Sequence, residues 1–323
     1  MSPRSILVTG GSGFLGGALL RHLASSDEYS LIASLRDGRT DLPQSIRKVT
    51  LGDLTPSNNW REALTDVDVV VHAAARVHVM NEASADPLAA FRFVNVDATL
   101  NLARQAIEAG VKRFIYISSI KVNGEFSEPG AALTADDIPA PVDPYGISKL
   151  EAELGLRSLA ANTPMEIVII RPVLVYGPGV RANFLNMIRW LDKGVPLPFG
   201  AVNNKRSLVS LDNLIDLIIT CFSHPLAANQ TFLASDGEDV STTELLRKIA
   251  AVLNKRVVLL PLPVGLMTLA ARLLGKAAIA NRLFGSLQVD ISKNKRLLGW
   301  TPPVTLDRGL SAAVQPFLES RKS

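Results

Sequence analysis

Two hydrophobic rhythms alternate along the first half of the chain. Short, nearly unbroken apolar runs occur at SILVTG (5–10), SLIASLR (30–36), RKVTLGD (47–53), DVVVHAAA (68–75), RFIYISSI (113–120) and MEIVIIRPVLVYG (165–177). Between them stand segments with apolar residues at helical spacing: GFLGGALLRHLASS (13–26), WREALTDV (60–67), VDATLNLARQAIEAG (96–110) and DPYGISKLEAELGLRSLA (143–160). Strands that are apolar on both faces, separated by helices, predict an α/β fold with a Rossmann-type, doubly wound parallel sheet. After Arg171 the rhythm breaks, and Pro and Gly become frequent. Strand and helix patterns return at RSLVSLDNLIDLIITCF (206–222) and TFLASDGEDVSTTELLRKIAAVL (231–253). The expected organisation is a dinucleotide-binding domain over 1–172, with returning segments near 207–235. A smaller C-terminal substrate domain takes 173–206 and 236–323.

Composition narrows the function class. With 47% apolar and 20% charged residues the chain is globular in type. A net charge of +4 is too small to argue for nucleic acid and suits an anionic small substrate. One cysteine, Cys221, excludes a disulfide framework and reads as a small core residue, and the four histidines show no metal-ligand spacing. The chain enters SILVTG without a signal-peptide pattern, which predicts a cytoplasmic protein. The most apolar stretch, 261–285, is interrupted by Arg272, Lys276 and Arg282, so no membrane span is expected. An amphipathic helix packed on its own domain is the expectation there, and peripheral membrane contact the alternative.

VTGGSGFLGG places Gly10, Gly13 and Gly16 between a strand and a helix. The first glycine allows a tight turn, the second lets a pyrophosphate approach the backbone, and the third lets helix and strand pack closely. The context of strand, turn and amphipathic helix makes this a dinucleotide site. Asp53 follows the third strand, where a carboxylate can accept from an adenine amino group. Ala73, Ala74 and Ala75 leave room at the end of the fourth strand, while the side chain of His72 reads as a core histidine. The second strand ends at Ser34 and Arg36 with no acid in register for a ribose 2′-hydroxyl. An arginine there favours NADP(H), with NAD(H) as the alternative.

YGISK puts Tyr145 and Lys149 four residues apart on one helix face. A phenol has an ordinary pKa of about 10 and needs a neighbouring ammonium to act near neutrality. A serine at the edge of the fifth strand, in ISSIKVNGE, can share its hydrogen bond to a substrate oxygen. Together, TGxxGxxG at 9–16, the serine at 119, YxxxK at 145–149, RPVLVYGPG and DISKNKRLLGW resemble the extended short-chain dehydrogenase/reductase family, within its nucleotide-sugar epimerase/dehydratase group.

That resemblance implies Ser119, Tyr145 and Lys149 as the catalytic set. It implies cofactor contacts at Gly10, Ser12, Gly13, Phe14, Gly16, Arg36, Asp53, Leu54, Ala73, Ala74, Ala75, Asn95, Ser118, Tyr145, Lys149 and Pro172. Substrate contacts are implied at Lys121, Asn123, Tyr176, Asn183, Arg206 and Arg282, and a homodimer as the assembly. Dehydratases of the family follow the catalytic hydroxyl with an Asp–Glu pair; here Ile120 and Lys121 stand there, which speaks against dehydration. The activity implied is reduction of a UDP-4-keto-6-deoxy-N-acetylhexosamine to UDP-N-acetylquinovosamine for surface-polysaccharide synthesis. A UDP-glucose or UDP-GlcNAc 4-epimerase is the alternative. A non-catalytic dinucleotide sensor is the alternative of another class.

Overall fold

The computed structural model describes residues 4–38, 40–77, 86–128, 130–180, 182–275, 280 and 283–321. Seven strands form one sheet: β1 (Arg4–Thr9), β2 (Tyr29–Leu35), β3 (Arg47–Thr50), β4 (Val69–His72), β5 (Arg113–Ile117), β6 (Glu166–Pro172) and, from the second half of the chain, β9 (Thr231–Ala234). Their order is β3-β2-β1-β4-β5-β6-β9, and every pairing is parallel. The order reverses between β1 and β4, so a crevice opens at the carboxyl ends of these strands. Both faces are covered, which is why β4 and β5 are buried along their whole length.

Helices α1 (Phe14–Leu23) and α6 (Leu211–Thr220) cover one face around Ile6, Val8, Leu19, Leu214 and Ile218. Helices α3 (Ala98–Glu108) and α4 (Pro144–Ala160) cover the other around Leu7, Leu102, Tyr116 and Leu156. A second sheet of three strands has the order β10-β8-β7, with β7 at Leu174–Tyr176, β8 at Arg206–Ser210 and β10 at Asp239–Val240. Helices α5 (Ala182–Asp192), α7 (Thr242–Val252) and the carboxyl-terminal helix Leu306–Glu319 pack on it around Tyr176, Phe184, Ile249 and Leu310. Thus the 207–235 segment divides. Its first strand joins the small sheet, its helix packs on the large one, and its last strand pairs with β6.

Three local expectations are corrected. WREALTDV forms turns, not a helix: Asp66 takes a left-handed φ of 56° and closes the segment after one helical hydrogen bond, Leu64 N to Trp60 O at 2.9 Å. The helix expected from Val96 is preceded by α2 (Pro87–Arg92), capped by Asp86, and by a π-helical turn, Phe93–Asp97. The apolar 261–285 stretch does contain a helix, α8 (Val264–Leu273), but no residue of α8 is buried. Only the stripe Val264, Met267, Thr268 and Ala271 is half-buried, and the leucines opposite it are exposed, so the packing expected there is partial.

Beneath the crevice His72 joins three elements. Its Nδ1 lies 2.8 Å from the Thr9 hydroxyl and its Nε2 lies 2.9 Å from that of Thr99. Complete burial, with Lys149 nearby, pushes its pKa down to about 3. The unfolded chain therefore binds a proton that the folded chain refuses. Stability is held above pH ~6.5 and falls by about 1.4 kcal/mol per pH unit below it. Denaturant unfolding at pH 7 and pH 4.5 is expected to show His72→Gln losing about 2–3 kcal/mol less than the parent over that interval. Equal losses in the two proteins would contradict the neutral buried imidazole.

Candidate active site

The glycine turn is shaped by steric exclusion. Gly10 has φ +70°, and a Cβ there would lie 3.0 Å from Ala74 N. A Cβ on Gly16 would lie 2.4 Å from Gly10 O, so α1 can approach β1 only without a side chain at that position. Gly13 caps α1 with no side-chain hydrogen bond, leaving the first amides of the helix toward the crevice. Ser12 and Phe14 are exposed at its lip, and Ala73, Ala74 and Ala75 line the facing loop half-exposed. A bare backbone cradle beneath an uncapped helix fits the pyrophosphate of a dinucleotide.

Arg36 and Asp53 stand together at the edge of the sheet, with Nε 3.8 Å from Oδ1 and both side chains largely exposed. The charge that was to favour a 2′-phosphate is thus accompanied by a carboxylate. Leu54 is half-buried against the α3 face, and Pro172 is buried at the end of β6.

Asn95, in the π-helical turn, is buried and fully engaged. Its Oδ1 accepts from Arg76 N at 2.8 Å, and its Nδ2 donates to Arg76 O and to Ser148 Oγ, each at 3.0 Å. It clamps the loop after β4 to the first turn of α4 instead of reaching a ligand with its side chain. Helix α4 starts where Asp143 accepts from Gly146 N at 2.7 Å, ahead of Pro144. The Tyr145 ring packs edge-on against Phe91 of α2 at 5.9 Å.

Three expected residues converge at the end of β5. Ser119 stands beside the Tyr145 phenol and lowers its pKa, and its hydroxyl accepts from Lys121 N at 3.2 Å. Lys149 is buried one turn along α4; its Nζ donates to Ile117 O at 2.7 Å and lies 4.2 Å from the Tyr116 ring centroid. The electrostatics differ from the expectation of a phenol acidified by its lysine. Burial, then the Asp143 carboxylate, pushes Tyr145 up to about 12, against a lowering by Ser119. Burial pushes Lys149 down to about 7, offset by the Glu153 carboxylate. The ammonium is directed to a carbonyl and an aromatic face, so in the ligand-free site desolvation dominates both groups.

Several residues implied as ligand contacts have side chains that already hold protein partners. Ser118 is buried and donates to Glu153 Oε1 at 2.5 Å. Asn123 is buried between Arg171, whose Nη1 donates to its Oδ1 at 2.9 Å, and Thr134 O at 2.8 Å. Lys121 pairs with Glu125 at 2.8 Å and with Asp143, bracing the start of α4. Tyr176 is fully buried, stacks on Phe184 at 5.6 Å and donates to Asp236 at 2.7 Å, which makes it a core residue of the small domain. Arg206 remains half-exposed at the start of β8 and donates to Gly285 O at 3.1 Å; burial lowers its pKa and Glu125 raises it. The side chain of Asn183 and all of Arg282 lie outside the described residues.

Sequence reading missed the pair that frames the site. Arg171 holds Glu153 through Nε at 3.0 Å and Nη2 at 2.5 Å, both residues being buried. Two signals were available: Glu153 is four residues after Lys149 on one helix face, and Arg171 interrupts an apolar strand.

The carboxyl-terminal half of the chain meets the segment after β5 along a backbone seam. The 286–290 segment supplies the seam. Ser127 N donates to Ser286 O at 3.0 Å, Leu133 N to Gln288 O at 2.8 Å, and Ser207 N to Leu287 O at 2.9 Å.

The sheet order, the glycine cradle and the Ser119–Tyr145–Lys149 cluster define a dinucleotide-dependent enzyme fold. The chain belongs to the NAD dependent epimerase/dehydratase family, whose sequence model matches residues 6–233. Over 319 residues it is 50% identical to a UDP-glucose 4-epimerase of Vibrio cholerae, covering 98% of this chain and 97% of that protein. Its fold is that of the UDP-glucuronic acid 4-epimerase of Bacillus cereus solved with NAD (TM-score 0.79, 23% identity, 98% and 99% of the two chains). MoeE5 in complex with UDP-glucuronic acid and NAD is also similar (TM-score 0.77, 25% identity, 98% and 99% of the two chains).

Two measurements check this account of the site. All four tyrosines, Tyr29, Tyr116, Tyr145 and Tyr176, have raised pKa values, so absorbance titration of the ligand-free protein at pH 10 is expected to find little phenolate. A group titrating well below pH 10 would show that a phenol is already activated. Glu153→Ala leaves the buried Arg171 guanidinium unpaired and is expected to cost about 3–5 kcal/mol in denaturant unfolding. A cost below about 1 kcal/mol would mean that the pair is not a structural requirement.

Proposed function

We propose that the chain is an NAD-dependent UDP-hexose 4-epimerase. One observation carries the reading: at the mouth of the crevice the Ser119 hydroxyl stands beside the Tyr145 phenol and lowers its pKa, with no carboxylate following Ser119. Half-identity along almost the whole chain to a UDP-glucose 4-epimerase of Vibrio cholerae supports the same activity. This reverses the order in which the sequence ranked reductase and epimerase.

The bound nicotinamide supplies the acceptor, and later the donor, of the C4 hydride. As the phenolate that a bound cationic nicotinamide and the Lys149 ammonium would favour, Tyr145 takes the C4 hydroxyl proton, with Ser119 holding the same oxygen, while C4 becomes a ketone. After the hexose presents its other face and C4 regains the hydride, Tyr145 returns the proton to the oxygen. Atoms and electrons balance over the cycle, so no net cofactor is consumed. Lys149 contributes positive charge one helical turn from the phenol. With its pKa down at about 7, that charge is present below neutrality and is lost as the pH rises through it.

The cofactor proposed is NAD rather than NADP. Asp53 beside Arg36 offsets the positive charge that a 2′-phosphate requires. Both solved relatives were captured with NAD. Arg206, a half-buried guanidinium at the domain seam, is proposed to hold the substrate diphosphate through its planar fork.

Incubation with UDP-glucose and no reductant is expected to yield UDP-galactose. Tyr145→Phe is expected to lower kcat about 10²–10⁴-fold with unchanged thermal stability. Steady NADPH consumption with a UDP-4-keto-6-deoxy-N-acetylhexosamine, and no interconversion of UDP-hexoses, would restore the reductase reading.

A further inference from the structure

Helix α8 is short, and the face opposite half-buried Val264, Met267, Thr268 and Ala271 is apolar and exposed. None of its residues is buried, and Leu266, Leu269 and Leu273 are 64%, 55% and 80% exposed. Their spacing puts them on one face, and Leu262, just ahead of the helix, is exposed as well. The chain leading into α8 continues the surface. Leu260 N donates to Leu197 O at 2.8 Å, anchoring an extended segment in which Leu259 packs on the small-domain core while Val258, Leu260 and Leu262 are exposed. A continuous apolar surface of this kind on a folded domain marks an interaction site.

The surrounding charge says what kind of partner fits. From Leu245 to Val289 the sequence contains no Asp or Glu, while Arg247, Lys248, Lys255, Arg256, Arg272, Lys276 and Arg282 fall within it. Lys248 is engaged by Asp307 and Glu238, and Lys255 lies 3.9 Å from Asp192. Arg256 and Arg272 are exposed beside the leucines. A two-fold contact between copies would set this cationic segment against itself with no acid in it to compensate. An anionic lipid surface complements both features: acyl chains take the leucines and headgroups take the cations. Ten residues cannot cross a bilayer, and among the described residues no helix is long and apolar enough to do so. The helix would therefore lie in the plane of the interface.

We propose that the exposed apolar face of α8, with the 258–262 segment before it, docks this protein peripherally on an anionic bilayer. Ten and twelve residues beyond α8 the chain reaches Leu283 and Gly285, whose carbonyls are held by Asn204 Nδ2 at 3.2 and 2.9 Å. The lipid-binding element is thus tied by a short connection to the seam between the domains.

The test uses the full chain and vesicles of phosphatidylcholine, alone or mixed equally with phosphatidylglycerol. Cosedimentation at low salt is expected to bind at least about fivefold more protein to the mixed vesicles, with the excess lost at high salt. The variant Leu266→Glu/Leu269→Glu/Leu273→Glu is expected to fall to the phosphatidylcholine level. Its melting temperature and UDP-hexose activity should match the parent, because these side chains are exposed. Failure of the parent to sediment with mixed vesicles at low salt would overturn the proposal, as would undiminished binding by the variant. A parent that ignores vesicles but is an oligomer, which the variant breaks into monomers, would assign the face to a second copy of this chain. None of these outcomes depends on which hexose is turned over.

Discussion

The buried pairing of Arg171 with Glu153 is the constraint on which the geometry of the site depends. Arg171 lies on β6, the neighbour of the strand that leads to Ser119, and Glu153 lies on the helix that carries Tyr145 and Lys149. Their two-pronged contact fixes the distance between sheet and helix. The same two side chains hold Ser118 and Asn123, the residues flanking the turn with Ser119. A buried ion pair contributes little net stability against an apolar replacement, yet leaving one partner alone is expensive. Such a pair acts as a spacer with a defined geometry, and the catalytic hydroxyls are placed relative to it.

A second consequence concerns charge. The site buries a phenol and an amine together, and burial drives their proton affinities apart in the directions that keep both neutral. Lys149 spends its hydrogen bond on Ile117 O, and Ser119 alone lowers the phenol. An acid/base of this kind is poised by what binds beside it. That suits the proposed cycle, in which Tyr145 would first accept and then return one proton.

Much of the fold was legible because its signals are local. Apolar runs closed by glycine or helix caps marked the six strands of the first half, and the position of Gly16 follows from a backbone approach to Gly10, six residues earlier. The cluster of Ser119, Tyr145 and Lys149 was readable from helical spacing and strand ends. What failed depended on distant partners. Tyr176 looked available until Asp236, sixty residues on, took its hydroxyl. Asn123 lost its place in the cleft to Arg171, 48 residues away. Lys121 is held by Asp143, and Arg36 is accompanied by Asp53 from the next strand. The segment at 60–67 has helical spacing but stops after one turn, because Asp66 adopts a left-handed φ and Trp60 N is taken by Gln105 at 2.7 Å. Polar side chains at strand ends are ambiguous in sequence, since bracing and ligand contact call for the same residue types.

The most direct test follows a deuterium label on C4 of UDP-glucose. If Tyr145 and Ser119 serve a closed oxidation and reduction of that carbon, the UDP-galactose formed will carry the full label at C4, with no reduced cofactor released. Loss of deuterium to water, or a 4-keto sugar accumulating in step with reduced cofactor, would contradict it.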